Sequence, residues 1–213
     1  MVQIADPTAF DGGRHQRYVG FARSLQLLQP KDVAYTIFPR GLYRGRGDGP
    51  RMFIQYNRQG GMYQRLMRRA GGGWGTYFRR MTNFDAGRGS PPVNQLLNII
   101  EAMNSRAHTY QAAYTIVIQR PGSETVRPRG GPCLNYIAVQ LQSGTPQRVS
   151  FLCVYRNHDF LTRAYGNYWG LCDLLKFLAA ETQSQPGSLT CVSAHAYACY
   201  KLGQLRSFLG SFP

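Results

Sequence analysis

A cysteine, an arginine and a polar cluster are the residues of this chain whose types and spacing could do chemistry together. Cys133 stands in the sequence Gly-Gly-Pro-Cys-Leu, and Arg156 opens the run Arg-Asn-His-Asp further along the chain. A thiolate is a strong nucleophile, and arginine lowers the pKa of a nearby thiol while its planar fork binds phosphate or carboxylate. The pattern therefore indicates a nucleophile that faces an anionic ligand. The alternative is a buried structural cysteine at the start of a strand.

The other cysteines fit a structural role. Cys153, Cys172 and Cys191 lie in apolar runs, where a free cysteine acts as a small hydrophobic residue. The chain has five cysteines and no CxxC pair, which argues against a zinc ribbon and a thioredoxin-like redox site. Only Cys133 follows a Gly-Gly-Pro turn that could present its thiol to a cavity. No metal site is predicted.

A mixed sheet flanked by helices is predicted to position these residues. Apolar, β-branched and aromatic residues predict strands at 114–119, 134–142, 148–156 and 189–200. The turn Ser-Gly-Thr-Pro at 143–146 would join the second and third of these strands as a hairpin. Helical spacing of apolar residues predicts helices at 62–70, 93–103 and 171–178. The predicted fold class is α/β (α+β), in one domain that covers residues 1–213.

Residues 1–60 are the least regular part of the chain. A short helix is predicted at 21–28, a strand at 33–38 and a glycine- and arginine-rich loop at 40–50. Hydrophobic content of 43% and a mean hydropathy of -0.34 are typical of a globular protein. No apolar stretch is long enough for a membrane span, and the N-terminus lacks the pattern of a signal peptide. A cytoplasmic protein without membrane contact is expected.

The charge of the chain points to anionic partners. The formal net charge is +15, and arginine supplies 22 of the 25 basic residues. Such an excess favours nucleotides, folate polyglutamate or nucleic acid as ligands. The preference for arginine over lysine also has a neutral explanation in a high-GC genome, but the net charge does not.

The order of motifs from Pro132 to Tyr197 resembles the thymidylate synthase and pyrimidine nucleotide hydroxymethylase superfamily. The pattern of that family runs Pro-Cys, Arg-Ser-x-Asp, a Gly-x-Pro-Phe-Asn turn, a long apolar helix and Gly-Asp-x-His-x-Tyr. The corresponding stations in this chain are Pro132-Cys133, Arg156–Asp159, Arg163–Asn167, the helix after Tyr168 and Val192–Tyr197. The resemblance implies a thymidylate synthase-like mixed sheet flanked by helices, with residues 1–60 as a divergent part.

The resemblance also implies roles for individual residues. Cys133 would add to C6 of a pyrimidine, which turns the ring into an enolate whose C5 attacks a one-carbon carrier. Arg156 and Asn157 would bind the nucleotide phosphate, and Asn167 would pair with the O4 and N3 edge of the base, which favours uracil. His195 and Tyr197 would bind the sugar hydroxyl. A solvated arginine at a strand end and a His-x-Tyr produced by strand alternation are the alternatives for these stations.

Cofactor and partner follow from the same resemblance. Asp159 would bind the pterin ring of 5,10-methylenetetrahydrofolate, with a turn or helix-cap aspartate as the alternative. Tyr77 stands where the family has a Tyr-Gly-x-x-x-Arg segment and is a weaker candidate for the cofactor site. The substrate would be a pyrimidine nucleotide, and the protein would form a homodimer packed sheet on sheet, as in the family.

Several departures separate this chain from the family pattern. An Arg-Arg pair that binds phosphate in the partner subunit is replaced by Ala112-Ala113, with Arg106 a few residues earlier. The family glutamate that relays protons has no counterpart, because no acidic residue lies between Asp48 and Asp85 or between Asp85 and Glu101. These differences argue against ordinary thymidylate synthesis. They favour C5 hydroxymethylation or methylation of a pyrimidine nucleotide in secondary metabolism.

A second hypothesis is a catalytically inactive relative that binds nucleotide or nucleic acid. Arginines cluster at 40–51, 65–69 and 79–80, with tyrosines and Trp74 interleaved as stacking surfaces. Retention of Cys133 argues against this hypothesis, because a protein that only binds has no need of a nucleophile. Affinity for an oligonucleotide that falls steeply with salt would favour it.

Overall fold

A five-stranded mixed sheet with helices packed on one face forms the centre of the protein. The computed structural model describes residues 1–69, 74–105, 114–121, 131–198 and 202–211, and of residues 60–69 only the backbone. The strands are β1 (Val2–Ile4), β2 (Tyr114–Val117), β3 (Leu134–Gln142), β4 (Arg148–Tyr155), β5 (His158–Asp159), β6 (Gln185–Ser193) and β7 (Ala196–Tyr197). The helices are α1 (Gly12–Ser24), α2 (Pro30–Ile37), α3 (Gly49–Arg69), α4 (Tyr77–Thr82), α5 (Gln95–Asn104), α6 (Ala164–Glu181) and α7 (Leu202–Gly210).

The strand order in the main sheet is β1-β6-β4-β3-β2. Strands β4 and β6 are parallel and are connected through α6, whereas the other neighbouring pairs are antiparallel. Strands β5 and β7 form a separate parallel pair just beyond the ends of β4 and β6. The predicted mixed sheet flanked by helices is therefore confirmed, as one compact unit with a shared core.

One face of the sheet is buried against the helices. Alternate residues of β3, β4 and β6 point into this core, as the period of two requires. The predicted structural cysteines Cys153, Cys172 and Cys191 are all buried and free of disulfides. Cys153 lies opposite Cys191 in the register of β4 and β6.

The opposite face of the sheet carries a partly exposed apolar row. The register places Val117 beside Tyr136, Tyr136 beside Val154, and Val154 beside Val192, so that the row crosses four strands. Val117 is 40% exposed and Val192 is 37% exposed. Apolar residues aligned in this way are a surface that a partner could cover.

The predicted strand at 33–38 is wrong, because these residues lie largely in α2. Pro30 starts this helix at its first turn, where its missing N–H costs no hydrogen bond. Val33, Ala34 and Ile37 follow at helical spacing and are buried against α6. The β-branched and aromatic residues favour a strand, whereas the packing against α6 selects the helix.

Helix α6 begins earlier than the sequence indicates. It starts at Ala164 rather than after Tyr168, so that Gly166 and Asn167 lie in its first turn and not in a loop. At Gly170, a Cβ atom would lie 2.8 Å from the carbonyl oxygen of Ala34 and 2.9 Å from the Cβ of Ile37. The absence of a side chain there allows α2 and α6 to touch backbone to backbone.

The remaining elements differ from the prediction mainly in their bounds. The helix expected at 93–103 is α5, the one expected at 62–70 is the end of the longer α3, and the one expected at 21–28 lies earlier, as α1. The last predicted strand is divided into β6 and β7. Ala112-Ala113 and Arg106 lie outside the described residues. None of the helices within the described ranges has the length and apolarity that crossing a bilayer requires.

Candidate active site

The loop before β3 holds Cys133 in a fixed position. Gly131 has a φ of +123°, which only glycine adopts without strain, and Pro132 after it is buried. The backbone N–H of Cys133 donates to the hydroxyl of Tyr77 at 3.2 Å, and that of Leu134 donates to the same hydroxyl at 3.4 Å. The Cys133 side chain is half-buried at the entrance to the strand.

Tyr77 is held in place by the start of α4. Thr76 is the N-cap of this helix: its side chain accepts from the N–H of Arg79 and also bonds the hydroxyl of Tyr56 at 2.7 Å. Tyr77 follows as the first helical residue and is 7% exposed. Its pKa is raised to about 12, first by burial and then by the nearby Cys133 thiol. Tyr77 therefore holds the cysteine loop in place through the hydrogen bonds that its hydroxyl accepts.

Opposing influences act on the Cys133 thiol. Burial raises the pKa of this thiol above its ordinary value, whereas Arg156 and Arg163 lower it and Asp159 raises it. Burial is the largest of these causes, so the shift of the pKa is upward although two arginines act in the opposite direction. The arginine expected to activate the thiol is present, and Arg163 is a second one that the sequence analysis did not single out.

Arg156 is fixed beside the cysteine loop. Its backbone N–H donates to the carbonyl of Cys133 at 2.9 Å and to the side chain of Asn135 at 3.1 Å. Its guanidinium Nε donates to the carbonyl of Pro132 at 3.0 Å. This contact uses Nε, and Arg156 as a residue is exposed, so its guanidinium could bind an anion.

Asn157 and His195 meet across the two chain segments. Nδ1 of His195 lies 2.8 Å from Oδ1 of Asn157, and because the amide oxygen only accepts, the imidazole donates from Nδ1. The His195 ring stacks on Tyr197 with their centroids 5.6 Å apart. The pairing of β5 with β7 places Asp159 opposite Tyr197. The backbone N–H of His158 donates to the carbonyl of His195 at 2.9 Å.

The carboxylate of Asp159 serves its own turn. Oδ1 accepts from the N–H groups of Leu161 and Thr162 at 3.0 and 3.1 Å, and Oδ2 accepts from the hydroxyl of Thr162 at 2.6 Å. The carbonyl of Asp159 accepts from the N–H of Arg163, just before α6. These contacts are those expected of the turn aspartate that is the alternative for this residue, and contact with a pterin ring stays a prediction.

Asn167 is buried against a histidine. Its Nδ2 lies 3.1 Å from Nε2 of His158, whose Nδ1 lies 3.1 Å from the hydroxyl of Ser193. The His158 ring stacks on Tyr155 with centroids 4.1 Å apart and planes 3° apart, and it is 1% exposed. Burial lowers the pKa of His158 to about 4, so the ring is neutral at pH 7. In the sequence, His158 is the variable position of the Arg-Asn-His-Asp run, and the motif pattern predicts no role for it.

The structure brings the eight predicted residues into one connected region. Hydrogen bonds join Tyr77 to Cys133 and Cys133 to Arg156, and strand pairing and side-chain contacts join the rest. Residues separated by long stretches of sequence therefore meet where β4, β6 and α6 place their ends. Within the described ranges, no group of three His, Cys, Asp or Glu residues could hold a metal ion.

The buried carboxylate of Glu181 does not belong to this region. It accepts from the hydroxyl of Tyr43 and the N–H of Gly47, each at 2.9 Å, and so anchors the arginine-rich loop at 40–50. Glu181 ends α6, whereas Asn167 lies in its first turn, and fourteen residues of helix separate them by about 21 Å. Glu181 is therefore no substitute for the family glutamate.

One comparison with known proteins agrees with the resemblance. The chain is 30% identical over 124 residues to a protein of Methanococcoides burtonii named "Putative thymidylate synthase". The match covers 57% of this chain and 52% of that protein, so the chain spans about half the length of the curated relative it matches. No family model matches the chain.

Proposed function

We propose that the protein modifies C5 of a pyrimidine nucleotide by thiol addition and one-carbon transfer, as a divergent thymidylate synthase-like enzyme. The observation that carries this proposal is the connected region around Cys133. Three contacts support it: Arg156 bonds to Cys133, His195 bonds to Asn157, and Asn167 bonds to His158, which follows Asn157 in the chain. The partial identity to the protein of Methanococcoides burtonii supports the same reaction class.

The chain's own residues divide the work as follows. The Cys133 thiolate forms a bond to C6 of the pyrimidine, and the C5–C6 electron pair moves toward the O4 oxygen. C5 then attacks the carbon unit, and its proton passes to water as the bond between that carbon and its carrier breaks. Addition of water to the resulting exocyclic methylene group would give the hydroxymethyl product, and departure of the thiolate from C6 restores the C5–C6 double bond. Arg156 with Asn157 holds the phosphate, Asn167 reads the base, and His195 with Tyr197 orients the sugar.

Methylenetetrahydrofolate is the donor that the likeness implies. It would supply the one-carbon unit at the oxidation level of formaldehyde, which suits hydroxymethylation and, with a reductant, methylation. Asp159 and Tyr77, the candidates for binding it, have hydrogen bonds within the protein. Direct contact of Asp159 with the donor stays a proposal drawn from the family pattern.

The proposal includes one thymidylate synthase-like domain over residues 1–213 and a homodimer. The apolar row formed by Val117, Tyr136, Val154 and Val192 supports the dimer, because a second copy could cover it sheet on sheet. Hydroxymethylation is preferred to methylation because adding water to the intermediate needs fewer groups than reducing it.

Tritium release tests the proposed reaction. Uridine and cytidine nucleotides labelled with tritium at C5 are incubated with the protein, with and without methylenetetrahydrofolate, and tritium in water is counted. Release from at least one nucleotide is expected, because addition to C6 makes the C5 hydrogen exchangeable or replaceable. The Cys133→Ala variant should lose the activity by about 10³-fold or more.

A matched control separates the nucleophile from the fold. Cys172→Ala removes a buried thiol from the middle of α6 and should leave tritium release intact in the folded fraction. Release by Cys133→Ala equal to that of the wild type would contradict the proposal. The absence of release from every nucleotide would also contradict it. That result would favour the alternative of an inactive relative that binds nucleotide or nucleic acid through its arginine-rich surface.

A further inference from the structure

We propose that His158 and Ser193 are positioning residues that fix the orientation of the Asn167 amide and thereby decide whether the site takes uracil or cytosine. The inference rests on the proposed function, in which Asn167 reads the base. It assigns a role to His158, which occupies the variable position of the Arg-Ser-x-Asp motif. It also assigns a role to Ser193, which replaces the aspartate of the Gly-Asp-x-His-x-Tyr motif.

The hydrogen bonds define the direction of the relay. The amide nitrogen of Asn167 can only donate, so Nε2 of His158, 3.1 Å away, must accept and carry no proton. The single proton of the neutral ring is then on Nδ1, which donates to the hydroxyl of Ser193 at 3.1 Å. The contact between Nδ2 of Asn167 and Nε2 of His158 thus couples the tautomer to the amide orientation. Ser193 stabilises this tautomer because its hydroxyl pairs the Nδ1 proton, which would otherwise be buried without an acceptor.

The packing around His158 prevents the ring from turning over. One face of the ring lies flat on Tyr155, while Phe160 and Tyr168 meet it edge to face at 5.2 and 5.4 Å between centroids. A ring enclosed on three sides keeps its two nitrogens aimed at the same partners. Asn167 is itself 4% exposed and sits in the first turn of α6, so its side chain has little freedom.

The orientation of an amide distinguishes the two pyrimidines. Uracil presents an acceptor at O4 and a donor at N3, whereas cytosine presents a donor at N4 and an acceptor at N3. An asparagine that can rotate by half a turn about its last bond satisfies either edge. An asparagine whose nitrogen is held by His158 offers one order of donor and acceptor only, and the mismatched base leaves buried polar groups unpaired. Uracil is the base that this site is expected to prefer.

Two variants test this relay, with a control on the same strand. Ser193→Ala removes the acceptor of Nδ1, and His158→Gln keeps a polar group whose own amide can turn over. Ser188→Ala changes another serine of β6 that does not contact His158. For each protein, kcat/KM for tritium release and the dissociation constant by calorimetry are measured with uridine and cytidine monophosphate.

The expected result is a loss of discrimination without a loss of chemistry. The wild type and Ser188→Ala should prefer one nucleotide by about tenfold or more. Ser193→Ala and His158→Gln should reduce that preference to about threefold or less, while kcat for the preferred nucleotide stays within about threefold. An unchanged preference would overturn the inference and leave the proposed function standing. A parallel fall for both nucleotides would assign the pair a structural role only and also overturn it.

Nitrogen NMR of histidine-labelled protein tests the relay without a substrate. The His158 signals, identified by their absence in His158→Gln, should show a protonated Nδ1 and an unprotonated Nε2, and Nε2 should shift in Asn167→Ala. A protonated Nε2 would overturn the inference whatever the nucleotides do. If the wild type binds and converts no nucleotide, the proposed function fails together with the specificity claim, and NMR decides the amide orientation separately.

Discussion

The reactivity of the Cys133 thiol depends on a balance between burial and two arginines. Burial raises its pKa, and Arg156 and Arg163 act in the opposite direction. At neutral pH most of the protein therefore carries a thiol, and thiolate chemistry should increase as the pH rises toward the pKa. A bound phosphate would neutralise part of the arginine charge, so nucleotide binding should weaken the effect by which the arginines lower the pKa of the thiol.

Removal of one arginine should move the thiol further from reactivity. Arg163→Gln takes away a positive charge that favours the thiolate, so the pKa of Cys133 should rise above its wild-type value. The alkylation rate of Cys133 by iodoacetamide, followed by peptide mass spectrometry as a function of pH, should then reach its midpoint at higher pH. Arg23→Gln, an exposed arginine of α1, is the control and should leave the midpoint unchanged. A midpoint that moves to lower pH in Arg163→Gln would contradict this electrostatic account.

The sequence predicted the site residues as a motif order but not the contacts that they make. Cys133 and Arg156 were expected to meet, and they do, through the hydrogen bond from the N–H of Arg156 to the carbonyl of Cys133. His158 was missed because a histidine inside a motif gives no sign of its burial, which depends on Tyr155 and α6 packing around it. For Asp159 the sequence left both a turn role and a cofactor role open. The bonds of its carboxylate to Leu161 and Thr162 depend on the local backbone conformation, which the sequence alone does not show.

Contact between α2 and α6 determines where the first turn of α6, and so Asn167, is placed. Gly170 lies one turn further along, where the backbones of the two helices touch. Gly170→Ala should push the helices apart and lower the free energy of unfolding by about 1–3 kcal/mol. Urea denaturation would measure this change.

A glycine in open space is the control for this substitution. Gly20→Ala lies inside α1, and its new Cβ would meet no atom within 4 Å. It should raise the free energy of unfolding by about 0.5–1 kcal/mol, because alanine favours a helix over glycine. Equal effects of the two substitutions would contradict the close contact at Gly170.

At the scale of elements, the sequence predicted the sheet better than the helices of the N-terminal part. Strands β3 and β4 follow the expected bounds closely, since their alternation matches one buried face. The strand predicted at 33–38 was wrong because over six residues the apolar pattern fits both the helical and the strand period. Packing against α6 decides between the two. The start of α6 was predicted too late, because glycine at 166 is typical of a turn. Only the close contact of Gly166 with α2 explains a glycine inside the helix.

The whole molecule has an apolar sheet face and a strong positive charge. The row of Val117, Tyr136, Val154 and Val192 crosses the sheet on the side away from the helices. Two such faces packed together would bury the row and join two copies with a common symmetry axis. The net charge of +15 opposes association, so the proposed dimer should be more stable at higher salt.

A charge in the centre of this row should separate the subunits. Val154→Glu places a carboxylate between Tyr136 and Val192, where burial against a second copy would leave it unpaired. Sedimentation velocity should show a dimer for the wild type and a monomer for this variant. Ile54→Glu, an exposed apolar residue of α3, is the control and should remain dimeric. A wild type that is monomeric at all concentrations would refute the dimer.

The central claim is that the Cys133 sulfur bonds to C6 of a pyrimidine, and a mass measurement tests it most directly. A 5-fluoropyrimidine nucleotide carries at C5 a fluorine that cannot leave as a proton does, so a nucleotide that has bonded to the thiol and taken up the carbon unit stays attached. After incubation with the 5-fluoro nucleotide and methylenetetrahydrofolate, the intact protein should gain the mass of the adduct, and peptide mapping should place it on Cys133. An unmodified Cys133, or an adduct that persists in Cys133→Ala, would contradict the account.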